Sequence, residues 1–152
     1  MRITAKSDYG VRAMIEIARR EDDDPVNADE IGRAQDIPRG FLLAILADLR
    51  RAGILMSQRG ASGGWRLARP ADEISVAEII RSIDGPLVSV HGLRPEAVAY
   101  NDVATPLQLV WIAARSSLRE VLDNVTVADL AGGTLPARIR KRTEDEGAWQ
   151  PR

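Results

Sequence analysis

The sequence contains no cysteine and a single histidine, His91. The first absence excludes disulfides, thiolate metal sites and cysteine redox chemistry. The second leaves a histidine-based catalytic dyad or a zinc site short of its usual groups. Aromatic residues make up only 4% of the chain, so the apolar 45% is mainly Leu, Ile, Val and Ala. That palette suits packed helices better than a β-sandwich, which draws on aromatic and β-branched side chains. No apolar run reaches membrane-spanning length, and no secretion signal precedes the first polar residues. These absences point to a soluble cytoplasmic protein. A chain of 152 residues accommodates one compact domain, or a small domain with an appendage.

Charge is sparse in sum and uneven in place. The whole chain carries −1, yet the stretch 37–70 carries +5, leaving −6 for the remainder. Its basic residues are Arg39, Arg50, Arg51, Arg59, Arg66 and Arg69, with Asp48 as the one acid. Arginine is the side chain best suited to phosphate and guanine contacts. A local basic patch on an acidic body therefore points to a selective nucleic-acid binder.

Tyr9, Met14, Ile17 and Ala18 share one face of a helix expected from Ala5 to Arg20. The acidic run Glu21 to Asp24, followed by Pro25, reads as a solvated loop. Asn27 with Glu30 three residues later forms a capping-box pattern and opens a short helix, Ala28 to Gln35, anchored by Ile31. Pro38 is well placed at the first position of the next helix. That helix, Pro38 to Ala52, carries the apolar stripe Phe41, Leu42, Ile45, Leu46 and Leu49, and Gly53 closes it. Two short helices joined by a tight turn make a helix-turn-helix. Strands are expected at Ile54 to Arg59 and Trp65 to Ala68, joined by the glycine-rich turn 60–64. A hairpin directly after such a helix pair is a wing.

Beyond the wing, Ser75 and Glu78 form a second capping pattern ahead of a helix, Val76 to Ile83, stopped by Asp84-Gly85-Pro86. Residues 87–104 show no period and read as a long loop, a class that is usually functional or mobile. Thr105-Pro106 opens the longest helix, to about Asp123. Leu107, Val110, Trp111, Ala114, Leu118, Val121, Leu122 and Val125 form an apolar seam along it. The twin helix of a second subunit is the simplest partner for that seam. Packing within the monomer is the alternative. Thr126 caps a short helix, Val127 to Ala131; a basic segment follows from Leu135, and the tail from Thr143 reads as frayed. The fold class is thus mainly α with a small β-hairpin wing. A winged helix-turn-helix spans 1–85, a connecting loop 86–104, a dimerisation helix and helical segment 105–142, and a flexible tail 143–152.

Residues 1–18 (MRITAKSDYGVRAMIEIA), 37–53 (IPRGFLLAILADLRRAG) and 57–70 (SQRGASGGWRLARP) together resemble the Rrf2 family of winged-helix transcriptional regulators. The resemblance covers most of the first 85 residues, and the segment 76–85 and the helix around Trp111 also fit it. It implies a homodimer whose long helices pack across a two-fold axis, a recognition helix in the major groove of double-stranded DNA, and a wing reaching the minor groove. Carried over by position, the DNA contacts would come from Pro38, Arg39 and Gly40 at the start of the recognition helix and from Arg59 at the wing, while Thr4, Lys6 and Ser7 would touch phosphates. Arg50 in the basic patch and Gly60 and Ser62 at the wing tip complete the candidate DNA contacts.

Members of the family that hold an iron–sulfur cluster do so with cysteines in the loop before the long helix. Here that loop has none. Asp8 and His91 stand where ligands would lie, but two such groups do not replace three thiolates. The expectation is no cofactor and no metal. A sensor region, if the loop is one, would use Tyr9, His91, Arg94, Tyr100 and Trp111 to hold an apolar or aromatic small-molecule effector. Trp65 and Trp111 equally suit wing and core packing. Enzyme chemistry has no support: Ser62 lacks a histidine partner, and no lysine follows the glycine run as in a phosphate loop. Two functions remain. One is a repressor acting as a homodimer on a palindromic operator; the other is an interaction module that docks a partner enzyme through the loop, with DNA binding secondary.

Overall fold

A computed structural model describes residues 3–20 and 24–151. Among the described residues, seven α-helices and one hairpin follow in the order α1 (Ala5–Ala18), α2 (Ala28–Gln35), α3 (Arg39–Arg51), β1 (Leu55–Gln58), β2 (Gly64–Leu67), α4 (Val76–Asp84), α5 (Thr105–Leu122), α6 (Val127–Ala131) and α7 (Ala137–Thr143). Of the acidic run after α1, only Asp24 falls within the described residues.

Helix α1 is the hub. It packs against α2, α3, α4, α6 and β2, and its buried face is Ser7, Gly10, Ala13, Met14 and Ile17. Gly10 is small by necessity, because a Cβ there would lie 2.2 Å from Ile83 Cδ1 on α4. The core continues through Ile31, Leu42, Ile45, Leu46, Leu49, Ile54 and Ile79. Leu42, Ile45, Leu46 and Leu49 recur at helical spacing and put one complete face of α3 inside. Phe41 departs from the expected stripe: it is 61% exposed, with its ring edge-on to Tyr9 at 6.4 Å between centroids. It lies at the border of the buried arc, where the helix turns toward solvent.

The helix boundaries are set by local chemistry. The Asn27 side chain accepts from the Glu30 N–H, but the Glu30 carboxylate accepts from Arg20 instead of folding back, so the box is half-formed. Ser75 likewise accepts from the Glu78 N–H while the Glu78 carboxylate pairs with Arg69. The complete capping box is at Thr126 and Asp129. Pro38 precedes α3 as its N-cap, one position earlier than expected. Gly53 (φ 74°) turns the chain out of α3, and Ile54 N–H donates to Leu49 O.

The hairpin pairs Leu55 with Leu67, Met56 with Arg66, Ser57 with Trp65 and Gln58 with Gly64. Val26, ahead of α2, makes an isolated antiparallel bridge to β2: its N–H and C=O both bond to Trp65, at 2.9 and 2.8 Å. This approach explains Gly64, where a Cβ would lie 2.6 Å from Val26 O. The sequence offered no sign of this bridge.

The chain order of the domains differs from their spatial order. Helix α6 lies beyond α5 in sequence but returns to the winged core. Val127 N–H donates to Ile74 O and Val76 N–H to Val125 O, each at 2.9 Å, and Val127 is fully buried. The expected boundary between a winged domain and a later helical segment therefore does not hold for α6: α5 is inserted between parts of one core. Within the expected flexible tail, Glu146–Ala148 forms a 3-10 turn, and Trp149 Nε1 donates to Thr143 O at 2.6 Å.

Candidate nucleic-acid interface

The turn between α2 and α3 is built by Asp36 in the left-handed region (φ 51°), with Ile37 buried beneath it and its N–H bonded to Gly32 O at 2.9 Å. These contacts fix α3 against α2 and present the opposite face outward. Arg39, Gly40, Leu43, Ala44, Arg50 and Arg51 are exposed there. Gly40 and Ala44 carry almost no side chain, so the helix backbone can come close to a surface laid against it. Sequence reasoning singled out Arg39 and Gly40 but missed Leu43 and Ala44. The signal available was the complement of the buried 42/45/46/49 set.

Arg39 Nε donates to Asp29 Oδ1 at 2.7 Å. Both side chains are more than 60% exposed, and a pair of that kind is worth little, so Arg39 exchanges partners easily. Pro38 is exposed beside it. Arg59, Gly60 and Ser62 are all exposed at the wing tip. Gly60 takes φ 113°, a conformation open to glycine. Arg59 makes no ion pair among the described residues. Arg50 is committed differently: it donates to Ser57 Oγ at 3.2 Å and lies over the Trp65 ring at 5.9 Å. It bridges α3 and the wing while remaining exposed.

The start of α1 requires corrections. Ser7 is fully buried, so it does not reach a phosphate. Its hydroxyl and that of Thr4 both donate to Asp84 Oδ2, each at 2.6 Å. Thr4 also caps α1 by accepting from the Ser7 N–H. The two hydroxyls fasten α1 to the end of α4. Lys6 is turned to α3, where Nζ meets Asp48 Oδ2 at 2.5 Å. Asp48 also pairs with Arg51. The hydrogen bond from Lys6 outweighs partial burial and holds the Asp48 carboxyl below its ordinary range.

The proposed effector residues do not converge. Tyr9 packs beside Phe41 with Arg12 over its ring at 5.5 Å. Tyr100 and Trp111 join each other, indole N–H to phenol oxygen at 3.1 Å. His91 is exposed in the bend between Val90 and Leu93. Arg94 alone of the five lines the groove beside α5. The loop is pinned to α5 by Gln108, whose side-chain amide donates to Pro95 O and Val98 O at 3.1 Å. The groove that Arg94 lines has no aromatic side chain in its wall.

The seam on α5 also divides. No residue of this helix is buried. Leu107 and Val110 are 40% and 54% exposed, whereas Leu122 packs on the chain's own Ala77, Ile80 and Leu87.

A family model described as an iron-dependent transcriptional regulator, Rrf2, matches residues 3–133. The chain belongs to the Rrf2 family. It is 43% identical over 150 residues to the "Putative HTH-type transcriptional regulator Rv1287" of Mycobacterium tuberculosis, covering 99% of this chain and 93% of that one. The structure of CymR, the global cysteine regulator of B. subtilis, matches with a TM-score of 0.74 at 32% identity, over 88% of this chain and 98% of CymR. The structure of T. potens IscR matches with a TM-score of 0.68 at 29% identity, over 100% and 93%. This Rrf2 protein is therefore a winged-helix transcriptional regulator of a DNA-binding family, and not an enzyme. Among the described residues no helix is long and apolar enough to cross a membrane. The chain has no cysteine, Asp8 faces Arg12, and no three His, Asp or Glu side chains gather among the described residues.

Proposed function

We propose that this Rrf2 protein acts in the cytoplasm as a homodimeric repressor, binding a palindromic operator without an iron–sulfur cluster. The observation that carries the dimer is α5, an 18-residue helix with no residue buried in its own chain and Leu107, Leu109 and Val110 open on its surface. An exposed apolar surface of this kind marks an interaction site. A two-fold axis through it would present two copies of α3 to successive major grooves, about 34–36 Å apart. Pro38, Arg39 and Gly40 would read base edges there, and Arg59 with Gly60 and Ser62 would follow the backbone beside the wing. A dimer seated across a promoter represses by excluding polymerase. The absence of thiolates supports cluster-independent binding, since soft sulfur is what selects iron–sulfur clusters.

Footprinting of the purified protein on genomic fragments tests this reading. The expected result is protection of a two-fold symmetric site by colourless protein prepared without oxygen, with affinity falling steeply as salt rises. A monomer in sedimentation, or protection that requires added iron, would overturn it.

A further inference from the structure

The groove between the end of α4, the connecting loop and α5 gathers four arginines. Arg81, Arg94, Arg115 and Arg119 line it together with Glu96 and Leu87, around a volume of about 520 Å³. That size lies in the range of small-molecule sites. Guanidinium groups brought together repel one another unless anions stand between them. The chain supplies two. Glu96 Oε2 accepts from Arg115 at 2.6 Å. Asp123 accepts from Arg81 at 2.7 Å and from Arg119 at 3.0 Å. Arg94 forms no ion pair among the described residues. Four cations thus face two carboxylates, and a positive excess remains.

The two resident carboxylates differ in how firmly they are held. Asp123 sits at the C-cap of α5, and although burial raises its pKa, Arg81 and Arg119 bring it below the ordinary range. Glu96 sits in a single 3-10 turn, Pro95–Ala97, within the loop. Its side chain is 48% exposed. A bond from its own backbone N–H, then Arg115, holds its carboxyl in the charged form. It is a carboxylate on a loop, laid across an arginine that can accept a better one.

We propose that this groove is a binding site for a small organic anion bearing at least two carboxylates, and that Glu96 is its internal stand-in. One ligand carboxylate takes the place of Glu96 on Arg115, and the second meets Arg94. Arginine engages carboxylates through two parallel N–H donors, which favours this class. No aromatic side chain lines the groove, so a nucleotide base would find no stacking partner. The resident anions are carboxylates, and the volume exceeds what an inorganic ion fills. The bound ligand would thus join Arg94 of the connecting loop to Arg115 of α5. Its use as a signal for DNA release would rest on the proposed function; the site itself does not.

Titration calorimetry of the full-length protein without DNA tests the proposal, with citrate and succinate as probes and inorganic phosphate as the comparison. Saturable binding of a dicarboxylate or tricarboxylate is expected. Replacing both Arg94 and Arg115 with Ala should weaken it at least about tenfold, equivalent to roughly 1.4 kcal/mol. Glu96→Gln should tighten it several-fold, because it removes the competitor and leaves the arginines intact. A structural role for Glu96 alone would not produce that gain, and this variant keeps the test sound if the double variant fails to fold. The proposal fails if neither carboxylate binds in the millimolar range, if phosphate binds as tightly as citrate, if Glu96→Gln weakens binding, or if a folded double variant binds as well as the parent. Operator affinity measured on the same samples separates the two readings: carboxylate binding with no operator binding would sink the DNA reading and leave the site standing.

Discussion

In the winged half, α3 encloses Leu42, Ile45, Leu46 and Leu49 completely, whereas α5, though longer, encloses no residue of its own. Both helices carry an apolar stripe at helical spacing. The first stripe is met by α1, α2 and α4 of the same chain; the second is met along part of its length by the loop and α4 and is otherwise open. The difference teaches that periodicity reports an apolar face but not the surface that covers it. It also separates two duties. The sealed half joins α3 to the wing through Arg50 and Trp65, and the open helix leaves apolar side chains uncovered.

The largest expected effect lies in the sealed half. Leu46→Ala should cost about 2–5 kcal/mol in urea denaturation, the range for a buried leucine. A loss below about 1 kcal/mol would show that this face tolerates collapse, and would erase the contrast with α5. The open half is tested by Leu107→Asp combined with Val110→Asp. Sedimentation should then report monomers of unchanged helical content. A persistent dimer would place the interface elsewhere. Leu122 is a poor choice for this purpose, because it packs on the chain's own Ala77 and Leu87 cluster and its loss would mix folding with assembly.

Between these two lies the wing, which is part of the sealed half by its strands and open at its tip. Arg59→Ala should leave thermal stability unchanged and weaken operator binding by about 1–3 kcal/mol, with a shallower salt slope. Equal affinity and slope would remove Arg59 from the interface. The smallest effect concerns the clasp between α1 and α3. Asp48 has its folded pKa lowered, with Lys6 as the leading cause. Its contribution is present above the unfolded carboxylate value near about 3.9 and is lost as pH falls through the lower folded value. Lys6 is 39% exposed, so solvent screening keeps Asp48→Asn to about 0.5–1 kcal/mol at neutral pH. Stability curves of parent and variant should converge in acid; a constant gap down to the acid limit would assign the cost to packing.

Much of the winged half was legible because its signals are local. Asn27, Ser75 and Thr126 were identified as N-caps from their own side chains, and each caps its helix as expected. Gly53 and the turn 60–64 were legible from backbone preference. Three features were not legible, for a different reason. The resemblance carried Ser7 over as a phosphate contact, but Asp84, far along the chain, packs against it and it is buried. Val26 gave no strand signal because its bridge to Trp65 is one residue long. The effector residues were grouped by their position around the loop, yet Tyr9 and Trp111 face different neighbours.

Local signals in the sequence were enough for the boundaries of α1 to α6 and of the hairpin, to within a residue or two, for the basic character of 37–70, and for the absence of any thiolate. Each is a property of residues near one another in the chain, or of composition alone. Only the tertiary structure decided that α6 returns to the winged core, that Ser7 is interior, and that Arg81, Arg94, Arg115 and Arg119 meet around one groove. Those outcomes depend on contacts between distant segments. In the sequence the four arginines are spread over the end of α4, the loop and α5, and no local pattern joins them; packing of α4, the loop and α5 does.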